Sequence, residues 1–333
     1  MSKTIYDVAE HSGVSISTVS RVINAPQSVN AETRQRVLQS IDALDFVPRA
    51  EASARARKAT RRIGVLAPFF AYLPSFSQRL RGITTALSDS SYELVVYNTN
   101  SEANTHTQLE NLPVSRRIDG LIVMSIVIGD EEVKRFARHQ LPTVTIELTH
   151  PNLSGIEIDN VAGGCLAAQY LLERGHRDIA FIGDNKEFIH KYTVQTNVAR
   201  LEGFRNQLAE AGVELPDERI ELGSYRLEDG YAMTQRLLDL PKPPRAIFAA
   251  SDMLALGVLK AARERGISVP EQLAVIGFDN LDISDYMGLT TITQSLDESG
   301  RVAVELLLSR LTDENRLIQH VRLPMRVVER QTA

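Results

Sequence analysis

From Arg62 onward, short apolar runs alternate with stretches of helical spacing, and this alternation restricts the fold of the 333-residue chain more than any other feature. Ile63–Ala67, Leu94–Tyr97, Gly120–Met124 and Thr143–Ile146 read as strands of one lobe, and Ile179–Gly183, Ala246–Ala249 and Ala274–Phe278 as strands of a second. Helical segments fall between them, for example Val161–Arg174, Leu201–Ala211 and Met253–Arg265. Such alternation is the pattern of parallel sheets covered on both faces by helices. Right-handed crossovers make each lobe doubly wound, and ligands sit beyond the C-terminal ends of the strands, so the cleft between the lobes is the expected site.

Length and charge divide the chain further. A chain of 333 residues exceeds one compact core and reads as two or three domains. With 43% hydrophobic and 24% charged residues it has ordinary globular composition, and nothing reads as a membrane span. Met1-Ser2-Lys3-Thr4 runs into an amphipathic segment without the apolar core of a signal peptide, so a cytoplasmic location is expected. Cys165 is the single cysteine, which excludes an internal disulfide, and it reads as a small packing residue. The net charge of −5 hides an asymmetry: residues 1–62 hold ten Lys/Arg against six Asp/Glu. Within that stretch the excess sits after residue 48, in Arg49, Arg55, Arg57, Lys58, Arg61 and Arg62 against Glu51 alone. A basic footprint of this kind suits a nucleic-acid partner.

Ahead of it lies a compact helical pattern. Thr4 and Asp7 are spaced as a capping box, with Ile5, Val8 and Ala9 at helical spacing behind them. Gly13 permits a tight turn, and Ser15 can cap a second helix that buries Val19, Val22 and Ile23. A third helix begins near Asn30 and runs to about Leu44, burying Val37, Ile41 and Leu44. The second helix turns Ile16, Ser17, Ser20, Arg21 and Asn24 outward, a face with hydroxyls, one guanidinium and no carboxylate. In a helix-turn-helix the start of this helix enters the major groove, where Arg21 can pair with a guanine edge, Ile16 can touch a thymine methyl, and Ser15 and Thr18 can reach phosphates. The same pattern also fits a three-helix bundle with a solvated face.

The run from Thr4 to Asn24, continued by Val29–Arg34 and Phe46-Val47-Pro48, resembles the headpiece of the LacI/GalR transcription regulators. That resemblance implies base-reading positions at Ile16, Ser17 and Arg21, and positions that contact or support phosphates at Tyr6, Ser15, Thr18, Asn24 and Thr33. In this family a hinge helix inserts a leucine into the minor groove. Here no leucine occurs between Asp45 and Leu66, and gapless counting from Pro48 puts Arg55 at the wedge position. Arginine is attracted to a narrow A·T minor groove, so Arg55 and Arg57 are expected to act there electrostatically, or else to touch phosphates from a flexible linker.

The resemblance extends through Ile158-Asp159-Asn160, Arg174–Gly183, Arg200–Phe204, Ala250–Ala255, Gly277-Phe278-Asp279 and Leu289–Ile292, covering essentially the whole chain. It implies an all-α headpiece joined to two α/β lobes of periplasmic-binding-protein-like (type I) architecture: headpiece 1–48, hinge 49–61, and effector-binding and dimerisation domain 62–333. It also implies Arg200, Asp252 and Asp279 as effector-binding residues, with Tyr225 stacking on the ligand and Ser125 at the cleft edge. The strand through Ile146 ends in Glu147-Leu148 where the family commonly has Asp-Arg, so one ligand contact is missing or replaced. The turn Pro68–Phe76 is unusually aromatic, and Phe69, Phe70 and Tyr72 serve either to stack on a ligand or to pack a lid or interface.

The seven histidines lack ligand spacing, and no Gly-x-Ser-x-Gly elbow, Walker loop or dinucleotide fingerprint occurs, so neither a metal, a cofactor nor catalysis is expected. A transport-type sugar-binding protein would account for the lobes alone. The expectation is a homodimeric regulator that binds double-stranded operator DNA under control of a small effector, a sugar or, as the alternative, a nucleobase corepressor.

Overall fold

The computed structural model describes residues 3–24, 28–44, 46, 60–70, 73–184, 192, 196–313 and 315–333. The chain forms two compact units, Met1–Thr60 and Arg61–Ala333.

In the first unit, α1 (Ile5–Ser12), α2 (Ile16–Asn24) and α3 (Ala31–Ala43) follow the three expected helices. Each start is fixed by a side chain satisfying a backbone N–H that the helix leaves unpaired. Thr4 and Asp7 form the capping box, Ser15 Oγ accepts from the Thr18 N–H at 3.2 Å, and Asn30 Oδ1 accepts from the Thr33 N–H at 2.8 Å. Gly13 stops α1 with φ 66°, a left-handed angle costly for residues with a Cβ. Val8, Ala9, Val19, Val22 and Val37 close the core, with Ile5, Val14, Val29, Ile41, Leu44 and Phe46 packed against it.

The second unit carries two sheets. Lobe 1 holds β1 (Arg62–Pro68), β2 (Glu93–Thr99), β3 (Gly120–Met124), β4 (Thr143–Glu147), β5 (Ser154–Glu157) and β11 (His320–Arg322), in the order β11-β5-β4-β3-β1-β2. Lobe 2 holds β6 (Ile179–Asp184), β7 (Ile220–Gly223), β8 (Ala246–Ala249), β9 (Ala274–Asp279), β10 (Thr290–Thr293) and β12 (Arg326–Val328), in the order β12-β10-β9-β8-β6-β7. Every pairing is parallel except β10 with β12. The helices are α4 (Pro74–Leu87), α5 (Glu102–Ser115), α6 (Asp130–Arg138), α7 (Asn160–Glu173), α8 (Thr196–Glu210), α9 (Leu227–Leu238), α10 (Asp252–Glu264), α11 (Asp282–Tyr286) and α12 (Leu296–Thr312). The central strands are buried on both faces, so their apolar runs are continuous rather than alternating. The chain crosses between lobes three times, after β5, β10 and β11.

Helix α8 is placed by contact without side chains. A Cβ on Gly164 of α7 would lie 2.0 Å from the Arg200 carbonyl oxygen, and one on Gly203 of α8 would lie 1.9 Å from that of Val161. Only glycine at these two positions lets α7 and α8 cross backbone to backbone, and that crossing sets Arg200 at the lobe interface.

Candidate functional site

The headpiece presents a polar surface around the start of α2. Tyr6, Ser15, Ile16, Ser17 and Arg21 are exposed, and Thr18 and Thr33 are half-buried. Ser15 Oγ lies 2.8 Å from Ser17 Oγ and 2.9 Å from Thr18 Oγ1, so three hydroxyls form one small cluster at the first turn of α2. The N–H groups of a helix start and a hydroxyl cluster are both suited to phosphate oxygens. Ile16 is 40% exposed and Tyr6 68%, too much for packing residues of a small core. Among the described residues no carboxylate pairs with Arg21. Asn24 ends α2, but its side chain and that of Ile23 lie outside the described residues. Arg55 and Arg57 lie outside them as well.

In the second unit the strand ends of both lobes converge on a cavity of about 150 Å³. Phe69, Ser125 and Glu147 reach it from the ends of β1, β3 and β4, and Asp184 and Asp279 from the ends of β6 and β9. Asn197 and Arg200 enter from α8, Gln294 from the β10–α12 crossover, and Tyr225 from the segment after β7. Phe69, Ser125, Glu147 and Asp279 have positive φ, of 49°, 52°, 81° and 123°. Positive φ at a non-glycine residue costs energy that the surrounding packing must supply, and it gathers at ligand sites. The rings of Phe69 and Tyr225 approach from opposite lobes to 6.5 Å between centroids.

One polar network runs through the cavity wall. Arg79, on α4 and fully buried, donates to Glu147 Oε1 at 2.6 Å and to Gln294 Oε1 at 2.8 Å. Ser125 Oγ donates to the other Glu147 oxygen, and Gln294 Nε2 donates to Asp279. Arg200 lies 4.0 Å from Asp279, donates to Asn160 Oδ1 at 2.9 Å and to the Ala250 carbonyl, and stacks 3.6 Å over the Phe278 ring. Burial works against the Glu147 carboxylate, but the Arg79 charge with hydrogen bonds from Ser125 and Arg79 outweighs it, and its pKa falls below the usual range. For Asp279 burial wins over Arg200 and Gln294, and its pKa is pushed up to about 6. Burial lowers the Arg200 pKa against the pull of Asp279, Glu147 and Asp184.

Four of the expected effector residues, Ser125, Arg200, Tyr225 and Asp279, meet at this cavity. Asp252 does not line it. It is fully buried just behind, accepting from the Leu281 N–H at 2.8 Å, Ser284 Oγ at 2.6 Å and Thr291 Oγ1, so it braces the loop that carries Asp279. Burial, added to the Asp279 charge, pushes its pKa up to about 7 in spite of those donors. Tyr72 lies outside the described residues. Leu148 brings no guanidinium to the end of β4, and one arrives from α4 instead: Arg79, held by the Glu147 carboxylate. Arg79 is detectable from sequence, because Phe76, Arg79 and Ile83 share a helical stripe whose other members are apolar and buried. Asp184 is detectable as a carboxylate closing an apolar strand, whereas Gln294 and Asn197 carry no sequence signal.

Among the described residues no helix is long and apolar enough to cross a membrane, and no cluster of His, Cys, Asp and Glu is suited to a metal ion.

A helix-turn-helix unit joined to a two-lobed binding unit defines a ligand-responsive DNA-binding regulator. Residues 4–49 match the model for bacterial regulatory proteins of the lacI family, and residues 168–333 match the periplasmic-binding-protein-like domain. The catabolite control protein A of Priestia megaterium is 32% identical over 338 residues, covering 100% of this chain and 99% of its own length. The Lac repressor dimer bound to operator and the anti-inducer ONPF superposes with a TM-score of 0.80 at 27% identity, over 100% of this chain and 99% of that one. The regulator CelR in complex with cellobiose gives a TM-score of 0.70 at 28% identity, over 99% and 100%. The chain belongs to the LacI family, and it is a transcription regulator with an effector-binding unit.

Proposed function

We propose that this regulator is a cytoplasmic repressor that works as a homodimer, sets two headpieces on a pseudo-palindromic operator, and releases it when a sugar binds between the lobes. In this reading residues 1–48 read the DNA, 49–61 form the hinge and 62–333 sense the effector. Arg21, Ile16 and Ser17 contact base edges, while Tyr6, Ser15, Thr18, Asn24 and Thr33 hold phosphates. Arg55 and Arg57 add charge at the minor groove. The protein binds its ligand and does not transform it.

The observation that carries the effector assignment is the cavity, to which each lobe brings hydrogen-bonding groups and aromatic rings, Phe69 and Phe76 from lobe 1 and Tyr225 from lobe 2. At the roughly 10–15 Å³ that one water needs, about 150 Å³ takes a ligand on the order of ten heavy atoms, the size of a monosaccharide. Ser125, Glu147, Asp279 and Arg200 offer both donors and acceptors to hydroxyls, and Phe69 and Tyr225 offer faces to a sugar ring. Solved relatives that hold cellobiose or ribose support a sugar, and relatives named PurR, 31–33% identical over nearly the whole chain, keep a nucleobase as the alternative. Because the ligand touches both lobes, it binds one lobe arrangement more tightly than another, which is the requirement for coupling to DNA.

Thermal unfolding of the full chain against monosaccharides, disaccharides and nucleobases tests this, followed by operator binding with each hit. A monosaccharide should stabilise the wild type, weaken its operator binding, and do neither in Arg200→Ala. Stabilisation by a nucleobase alone would overturn the sugar assignment.

A further inference from the structure

The two lobes also meet outside the cavity, at a charged contact. Arg81 of α4, in lobe 1, donates from Nε and Nη2 to the two Asp297 oxygens at 2.7 Å each. From Nη1 and Nη2 it donates to the two Asp282 oxygens, the latter bond at 3.1 Å. Asp297 lies in the first turn of α12, which packs into the lobe 1 core, whereas Asp282 begins α11 between β9 and β10 of lobe 2. A Cβ on Gly82 would lie 1.9 Å from the Asp297 carbonyl oxygen, so α4 and α12 cross backbone to backbone and Asp297 holds one edge of the guanidinium firmly within lobe 1. The other edge reaches lobe 2. There the Asp282 N–H donates to Gln78 Oε1 of α4 at 2.9 Å, while the N-cap residue Leu281 supplies no side-chain acceptor. One lobe 1 helix thus provides both the cap and the counter-ion for a lobe 2 helix.

This contact lies close to the cavity in both lobes. Asp282 follows the cavity residue Asp279 by three positions, on the loop that Asp252 braces through the Leu281 N–H. Gln78 follows the lining residue Ser75 by one turn of α4. Isolated exposed ion pairs hold two bodies together weakly, but a guanidinium forked onto two carboxylates is the geometry in which such pairs count. All three side chains are about half exposed, so dissolved salt reaches them. Hydrogen bonds from Arg81 hold the Asp282 pKa below its usual value, and those to Asp297 and Asp282 raise that of Arg81. The contact therefore keeps its charges through the neutral range and yields to ionic strength rather than to acidity.

We propose that Arg81 and Asp282 form an ionic clasp across the lobe boundary, which holds the lobes in the arrangement that builds the cavity and lets go as ionic strength rises. Neither residue lines the cavity, so the clasp acts on the population of the cavity-forming arrangement and not on contacts to a ligand. Its effect on operator binding rests on the function proposed above; the clasp itself does not.

The test reads lobe spacing in the full chain without any ligand. Nitroxide labels on Arg138→Cys in α6 and Arg263→Cys in α10 occupy exposed sites in opposite lobes, and Cys165→Ala removes the native thiol. Labelled chain is diluted into excess unlabelled chain, so that pulsed electron spin resonance reports distances within one chain. With the clasp intact the distance distribution should be narrow at about 50 mM salt and broader and shifted at about 500 mM. Arg81→Gln and Asp282→Asn should each show the broad distribution already at low salt, with the separated population raised about two- to fivefold and no further response to salt. The double variant should match the single ones, because all three lack the same contact. The unfolding temperature should hold within about 3 °C. A distribution unchanged in either variant, an intact clasp blind to salt, or single effects that add in the double variant would each overturn the clasp. So would a lowered unfolding temperature with unchanged spacing, which would make the pair merely structural. At low salt both variants should also bind an operator duplex selected from random sequence about two- to fivefold more tightly. Altered spacing with unaltered operator affinity supports the clasp and overturns the coupling of lobe arrangement to DNA.

Discussion

The headpiece closes around five buried apolar side chains and caps each helix from within four residues of sequence, whereas the sensor unit builds its cavity from side chains as far apart as Phe69 and Gln294. One unit is organised by short-range rules, and among its described residues no charged side chain is buried. The other buries ionisable side chains and holds them by ion pairs, as for Arg79 and Glu147, or by hydrogen bonds, as for Asp252. The difference teaches where substitutions act: changes in the headpiece should alter DNA binding or local helix stability, and changes in the sensor network should alter global stability and ligand response together.

The largest effect is expected at Arg79. Arg79→Met leaves Glu147 buried without its cation, which costs about 3–5 kcal/mol, partly relieved by the Ser125 hydroxyl. Denaturant unfolding of the full chain should show the sensor transition moving and the headpiece transition standing still. A joint shift of both would break the comparison between the units. At the headpiece, Arg21→Ala should cost about 1–3 kcal/mol of operator binding and relax preference at one base pair, with the sensor's unfolding unchanged. Binding titrations on single-base operator variants read this directly, and a uniform loss across all sequences would assign Arg21 to phosphate instead.

The contrast in legibility follows from the same physics. Thr4, Ser15, Asn30 and Gly13 act on neighbours within a turn, so their caps and stops can be read from spacing. The strands of the two lobes are readable because burial on both faces makes their runs apolar throughout. The cavity is partly readable: Ser125 follows a first-lobe strand, and the family resemblance implies Arg200, Tyr225 and Asp279, which line the cavity with it. Family resemblance implies ligand contact for Asp252, but the structure turns its carboxylate to Leu281, Ser284 and Thr291, partners 29 to 39 residues away. Arg79, Gln294 and Asn197 acquire their meaning only when two lobes fold together, and nothing local marks that.

Acidity offers a subtler separation of the units. The folded-state pKa values of Asp252 and Asp279 are raised by burial to about 7 and about 6, above the ordinary 3.8. The folded sensor therefore binds more protons than the unfolded chain between about pH 4 and 7, and these groups contribute stability at low pH that is lost as pH rises through that window. The sensor's unfolding temperature should be higher near pH 5 than near pH 7.5, and Asp252→Asn should flatten the difference. A sensor whose stability stayed flat over this interval would show that Asp252 and Asp279 ionise normally. Smallest of all, Asn30→Ala removes the cap of α3 and should cost about 1 kcal/mol, confined to the headpiece. Amide exchange of α3 relative to α10 detects it, and equal changes in both helices would contradict the independence of the two units.

The central claim is that the cavity and the operator are coupled, and thermodynamic linkage makes that reciprocal. The direct measurement is calorimetric titration of a cavity ligand into the full chain, free and saturated with an operator duplex selected from random sequence. The ligand should bind several-fold more weakly to the DNA-bound protein, and Arg200→Ala should bind it in neither state. Equal affinity with and without operator would contradict the account.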